Sequence, residues 1–262
     1  MSDLKYSQLE MQKSVAIIKF NRPDSYNSMN REMKLELIKT LKKLGQDSNV
    51  KSIILTGNGK AFSSGQDLND RTVKSSEGPV DLGFTLETEW NPLVEAIRSN
   101  PKIVIAAING VAAGAGLSVA LSCDLKFTRP QIKFVCGFAQ IGLVPDAGSS
   151  FILTKSLGYS KALEFILSGK PLLSEDLLNF GLINGINADE MEISLKAAHA
   201  IGELPPLAVF HVKKNLQFAL DHSYEESLQR ETALQRFLGR SHDYAEGVSA
   251  FFEKRKANFK GM

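Results

Sequence analysis

The chain has little of what builds metal or disulfide sites: two cysteines and four histidines among 262 residues. Cys123 and Cys136 form no CxxC pair and have no histidine at ligand spacing, which excludes the usual zinc and iron–sulfur arrangements. Both read as buried core thiols of a reducing compartment. A dominant charge is missing too. The 31 basic and 29 acidic residues leave a formal +2, without the dense basic surface of a nucleic-acid binder. One local exception, "EKRKANFKGM" at the C-terminus, reads as a solvated tail, with a phosphate contact as the other reading. No run of about 18 apolar residues occurs, and "MSDLKYSQLEMQK" has no signal-peptide core, so the expectation is a soluble, cytoplasmic protein with no membrane partner. Phosphate-loop spacing is absent, "GVAAGAG" does not fit the dinucleotide fingerprint, and "GAGLS" is no nucleophile elbow because Ser118 falls inside a helix.

What is present is a large core. Hydrophobic residues make up 43% of the chain, enough for one large domain with an appendage. "SVAIIKFNRP", "VKSIILTGNGK" and "KIVIAAING" read as buried strands, and "CDLKFT" and "IKFVC" as shorter ones. "NREMKLELIKTLKKL" places Met33, Leu37, Leu41 and Leu44 at helical spacing behind the candidate cap Asn30. From Ser149 onward the pattern is mainly helical. Strands alternating with helices early, and helices alone late, predict an α/β core over residues 1–195 and a helical region over 196–262. The polar stretch "RTVKSSEGPVDLGF" reads either as a lid or as an ordinary surface loop.

Three stretches carry candidate chemistry. "GNGKAFSSGQDL" and "NGVAAGAGLSVA" each put small residues at a strand end, where backbone N–H groups are open to a ligand. Two converging N–H groups can hold an oxygen that gains negative charge; tight packing is the plainer reading of either turn. "IGLVPDAGSS" holds one carboxylate, Asp146, in apolar and small surroundings, and there a helix cap is the plainer reading. The four histidines, His199, His211, His222 and His242, have no Ser or Cys partner at suggestive spacing. Asp67 and Asp124 read as acceptors for local backbone donors, and Leu82, Phe84 and Trp90 as pocket walls or packing.

Together "NRPDSYNSMN", "AFSSGQDL", "NGVAAGAG", "GLVPDAGSS" and "LLSEDLLNFGLIN" make the chain resemble the enoyl-CoA hydratase/isomerase (crotonase) superfamily nearly end to end. "GQDLNDR", "EWNPLVEAI", "GLVPD" and "GRSHDYAEGVSAFFEKRKANFKG" resemble, within it, the isomerases that open the ring of 1,2-epoxyphenylacetyl-CoA. The resemblance implies an α/β fold, a crotonase-like spiral of strand–strand–helix turns with a C-terminal helical trimerisation region. It also implies a homotrimer or homohexamer, an acyl-CoA thioester substrate, and neither metal nor separate cofactor. By the same resemblance the oxyanion donors fall on the backbone N–H groups of Ser63 and Ala115. The acyl-CoA pocket takes Ala61, Ser63, Gln66, Asp67 and Leu68, with Lys254 reaching the CoA phosphates from this or a neighbouring subunit. The two glutamates of family hydratases are replaced by Ser118 and Phe138, leaving Asp146 as acid/base. The expected activity is isomerisation, either ring opening of the epoxide to an oxepin or a 3-enoyl to 2-enoyl double-bond shift. A hydratase and a non-catalytic acyl-CoA binder are the alternatives.

Overall fold

The computed structural model describes residues 4–70 and 81–262. The expected lid, residues 71–84, lies outside the described residues except for its last four positions.

The large sheet runs in the order β1 (Ser7–Gln12), β2 (Val15–Phe20), β3 (Ser52–Gly57), β5 (Ile103–Ile108), β7 (Leu125–Thr128) and β10 (Gly185–Ile186). All neighbours pair in parallel except β1 with β2. A smaller sheet is ordered β4 (Ala61–Ser63), β6 (Val111–Ala113), β8 (Lys133–Val135) and β9 (Leu172–Leu173), with only β9 antiparallel. Each of β3, β5 and β7 is thus followed at once by a short strand of the second sheet and then by helix. That is the spiral of strand–strand–helix turns.

The near-continuous apolar runs of the large sheet follow from burial on both faces. Ile53 and Leu55 enter the main core, while Ile54 points to a second cluster with Ile17, Ile105 and Ala198. The main core is closed by α1 (Arg31–Gln46), whose Asn30 side chain accepts the Met33 N–H at 3.0 Å and whose Met33, Leu37, Leu41 and Leu44 are buried as their spacing predicts. Between β4 and β5 come α2 (Leu82–Thr85), a π turn (Leu86–Trp90) and α3 (Asn91–Arg98). Then α4 (Ala115–Ser122) follows β6, and α5 (Ser149–Leu157), α6 (Tyr159–Ser168) and α7 (Ser174–Asn179) follow β8.

The second cluster is covered by α8 (Glu190–Gly202), which packs across β2, β3, β5 and β7. The boundary expected between residues 195 and 196 falls inside this helix. Its packing puts α8 with the core, and the helical extension begins with α9 (Pro206–Ala219), followed by α10 (Tyr224–Leu238) and α11 (His242–Glu253). Lys213 anchors α9. Its buried Nζ donates to Asp124 Oδ2 at 2.7 Å and to the carbonyls of Lys102 and Ile97 at 3.2 and 3.3 Å. No helix among the described residues is long and apolar enough to cross a membrane.

Candidate active site

The two small-residue turns meet. β4 and β6 run in parallel, Ser63 opposite Ala112, with an irregularity in register between Ala61 and Ser63, and the two chains stay close beyond it. A methyl group on Gly116 would lie 2.4 Å from the Ser63 carbonyl oxygen, and one on Gly65 would lie 2.9 Å from Ala113 O and 3.0 Å from Ala115 N. Gly65 also has φ +93°, so glycine is required there on both counts. Gly114 turns the chain into α4 at φ 51°, and the first helical bond runs from Ser118 N–H to Gly114 O at 3.2 Å. The N–H of Ala115 therefore precedes that bond at the positive end of the helix.

The Ser63 side chain is not a nucleophile. Its buried hydroxyl donates to Asn27 O at 2.8 Å and accepts the Gly65 N–H at 3.1 Å, which fixes the loop. Further sutures hold that loop: Met29 N–H to Gly65 O, Ser64 N–H to Tyr26 O and Asp67 N–H to Met29 O, at 2.7, 2.9 and 3.1 Å. Asp67 accepts the Asn69 N–H at 3.0 Å, as expected of a local acceptor, and pairs with Arg22 at 2.7 Å. Burial raises the Asp67 carboxyl, but the Arg22 guanidinium and the Asn69 N–H outweigh it and hold the group below the ordinary carboxylate range.

Ser118 and Phe138 are both buried. Ser118 Oγ lies 3.5 Å from the Gly114 carbonyl, and Phe138 opens a tight turn in which its carbonyl accepts Ile141 and Leu143 N–H groups. Neither position offers a base. Asp146, half-buried, follows on the same segment. The capping reading of Asp146 does not hold for its side chain: α5 begins at Ser149 with Gly148 as its cap, and it is the Asp146 carbonyl that accepts the Ser149 N–H and hydroxyl. Left-handed Ala147 and Gly148, at φ 49° and 80°, make the turn. The Asp146 carboxylate is close enough to Cys136 that its charge adds to burial in pushing that thiol up to about 11. Cys136 follows Val135, whose carbonyl accepts the Gly114 N–H at 2.9 Å.

The other candidates are dispersed. Ala61 is fully buried beneath the loop, and Leu68 is exposed. Lys254 ends α11 in a left-handed conformation, and no hydrogen bond or ion pair joins it to the β4 loop among the described residues. His211 sits between Phe210 and Phe237, and His222 stacks on Phe218, as packing residues do. Trp90 is fully buried; Phe84 is exposed. Among the described residues no group of three or more His, Cys, Asp or Glu is arranged to hold a metal. A groove of about 850 Å³ beneath α9, lined by Leu121, Phe151, Val209 and Leu216, involves none of Ser63, Ala115 and Asp146.

One group escaped the sequence reading. Lys34, on the apolar side of α1, is fully buried with Glu89, Gln66 and Trp90 around it. Its signal was a lysine directly after Met33, within the apolar stripe.

The enoyl-CoA hydratase/isomerase family model matches residues 10–262. The 1,2-epoxyphenylacetyl-CoA isomerase of Escherichia coli K12 is 37% identical over 253 residues, 96% of this chain and 97% of that protein. A probable enoyl-CoA hydratase of Rhodobacter capsulatus is also 37% identical, over 255 residues and 96% of each chain. The solved structure of an enoyl-CoA hydratase from Bacillus anthracis superposes with a TM-score of 0.92 at 26% identity, covering 98% of this chain and 100% of its own. The two converging loops and the spiral that carries them thus place the chain in the enoyl-CoA hydratase/isomerase (crotonase) family.

Proposed function

We propose that the protein is a CoA-thioester isomerase in which Asp146 carries the proton. The carrying observation is one half-buried carboxylate, Asp146, on the segment that follows Phe138, beside two buried positions, Ser118 and Phe138, that offer no base. The N–H groups of Ser63 and Ala115 hold the thioester oxygen as negative charge builds on it, each donor contributing roughly 3–4 kcal/mol in the transition state. In a double-bond shift, Asp146 takes a proton from the carbon next to the thioester and returns it two carbons further along. No atom is gained or lost, and one base on one face suffices. Opening an aryl epoxide to an oxepin likewise adds no water. The buried Phe138 ring suits both reactions because it keeps water from the site.

In this reading the Ala61–Leu68 loop, with Gln66 and Asp67, receives the CoA moiety, and Lys254 meets its phosphates across a subunit boundary of a homotrimer or homohexamer. The similarity to the Escherichia coli isomerase supports epoxyphenylacetyl-CoA as the substrate.

The test sets 1,2-epoxyphenylacetyl-CoA, a 3-enoyl-CoA and crotonyl-CoA side by side. Isomerisation of either of the first two is expected, and Asp146→Asn is expected to stay folded and lose at least about a hundredfold in turnover. Near-normal isomerisation by that variant rejects the assignment. The equally similar Rhodobacter relative favours hydration as a second reading. Formation of 3-hydroxybutyryl-CoA from crotonyl-CoA, with both other thioesters untouched, would establish it.

A further inference from the structure

The buried cluster around Lys34 lies directly against the loop that carries Ser63. Lys34 is fully buried, and its Nζ reaches Glu89 Oε2 at 2.5 Å and Gln66 Oε1 at 2.9 Å while standing 4.7 Å from the centre of the Trp90 ring. The Trp90 indole N–H donates to the same Gln66 oxygen at 2.9 Å. Two donors converging on one atom identify it as the amide oxygen and lock the side chain's orientation. The Gln66 Nε2 then donates to Asp67 O at 3.0 Å, and Gln66 is bridged to Met29. Glu89 and Trp90 belong to the π turn that leads from α2 into α3. Such turns are uncommon and often stand at functional sites. An ammonium this deep must be held by charge and hydrogen bonds, since solvent does not reach it.

We propose that Lys34 is a positioning residue for the site. Its ammonium clamps Gln66 and Glu89 together, and so fixes the Ser63–Asp67 loop against the Leu86–Trp90 turn. Trp90, the one tryptophan in the sequence, reports thioester binding through its bond to Gln66. This rests on the reading of that loop as the thioester site. It adds a residue that touches no substrate yet sets the angle at which the Ser63 N–H meets it. A shift of about 1 Å in such a donor can cost on the order of a hundredfold in rate.

The experiment has two arms. In the first, intrinsic fluorescence of the wild-type protein is followed during titration with acetyl-CoA, a thioester with no double bond to move. A saturable change in Trp90 emission is expected; an unchanged emission overturns the proposal. In the second, Lys34→Met/Glu89→Gln removes both charges together, so that neither is left buried alone. The folded variant is expected to lose the emission response. Its kcat on the thioester that the wild type converts, by isomerisation or hydration, should fall by about tenfold to a hundredfold, with KM changed far less. A merely structural cluster would lower the melting temperature and leave kcat per folded site intact, and that result also overturns the proposal. Should the double variant fail to fold, the wild-type titration decides alone. Loss of the isomerase reading would appear separately, as conversion of neither isomerisable thioester, and leaves the acetyl-CoA titration valid.

Discussion

Gly65 and Gly116 set the distance between the two loops of the site, because a side chain on either would meet backbone that has no room to yield. Gly65→Ala is expected to cost about 1–3 kcal/mol through overpacking alone, with turnover reduced beyond what the loss of folded protein explains; denaturant melts and kcat on the same sample separate the two. Cys136 offers a second check. Burial, aided by the Asp146 charge, pushes its thiol up to about 11, so little thiolate exists near pH 8. Alkylation of the native protein is expected to be on the order of a hundredfold slower than that of the unfolded chain, as followed by mass spectrometry. Asp67 carries a pH dependence. Its folded-state titration lies below its ordinary value of 3.8, so its contribution to stability is present above that pH and is lost as the pH falls through the lower folded-state value. Arg22→Met removes a main cause of that shift. The stability gap between wild type and variant is expected to narrow as the pH falls below about 4.

The attachment of α9 depends on the pair between Lys213 and Asp124, whose side chains are 2% and 15% exposed. Burial pushes Asp124 up and Lys213 down, and each is partly offset by the charge of the other. Both shifts disfavour the charged forms, so the pair orients α9 more than it stabilises the fold. Lys213→Met alone is expected to cost about 3–5 kcal/mol by leaving Asp124 buried without its partner, whereas Asp124→Asn/Lys213→Met comes close to wild type in urea melts. The pairing was not legible in the sequence, where the two residues are 89 positions apart. The strands and the start of α1 were legible, since β-branched runs and an Asn cap act over a few residues. The two-residue strands β9 and β10 were not, because they are strands only by pairing with β8 and β7.

At the scale of the whole molecule, α11 carries Phe251 and Phe252 at 79% and 77% exposure. Below them the chain end folds back, Asp243 accepting the Lys260 and Gly261 N–H groups at 2.7 Å each. Large rings held on an ordered helix at this exposure fit a face covered by another copy of the chain. A trimer or hexamer is expected by sedimentation velocity, with Phe251→Ser/Phe252→Ser shifting it to smaller species; a monomeric wild type rejects the assembly. If Lys254 serves a neighbouring site, the same variant raises KM for the thioester as the assembly falls apart.

The sequence by itself determined the alternation of strands and helices, the two small-residue turns and the isolated carboxylate of "IGLVPDAGSS", because these rest on local spacing and side-chain size. Tertiary structure alone decided that the turns converge, that Asp146 is not the cap of α5, and that α8 belongs to the core. It also revealed that a lysine in the apolar stripe of α1 is an interior cation. The cap of α5 turns on the left-handed backbone at Ala147 and Gly148, and the others depend on which distant backbone or partner a residue meets, of which spacing along the chain carries no record.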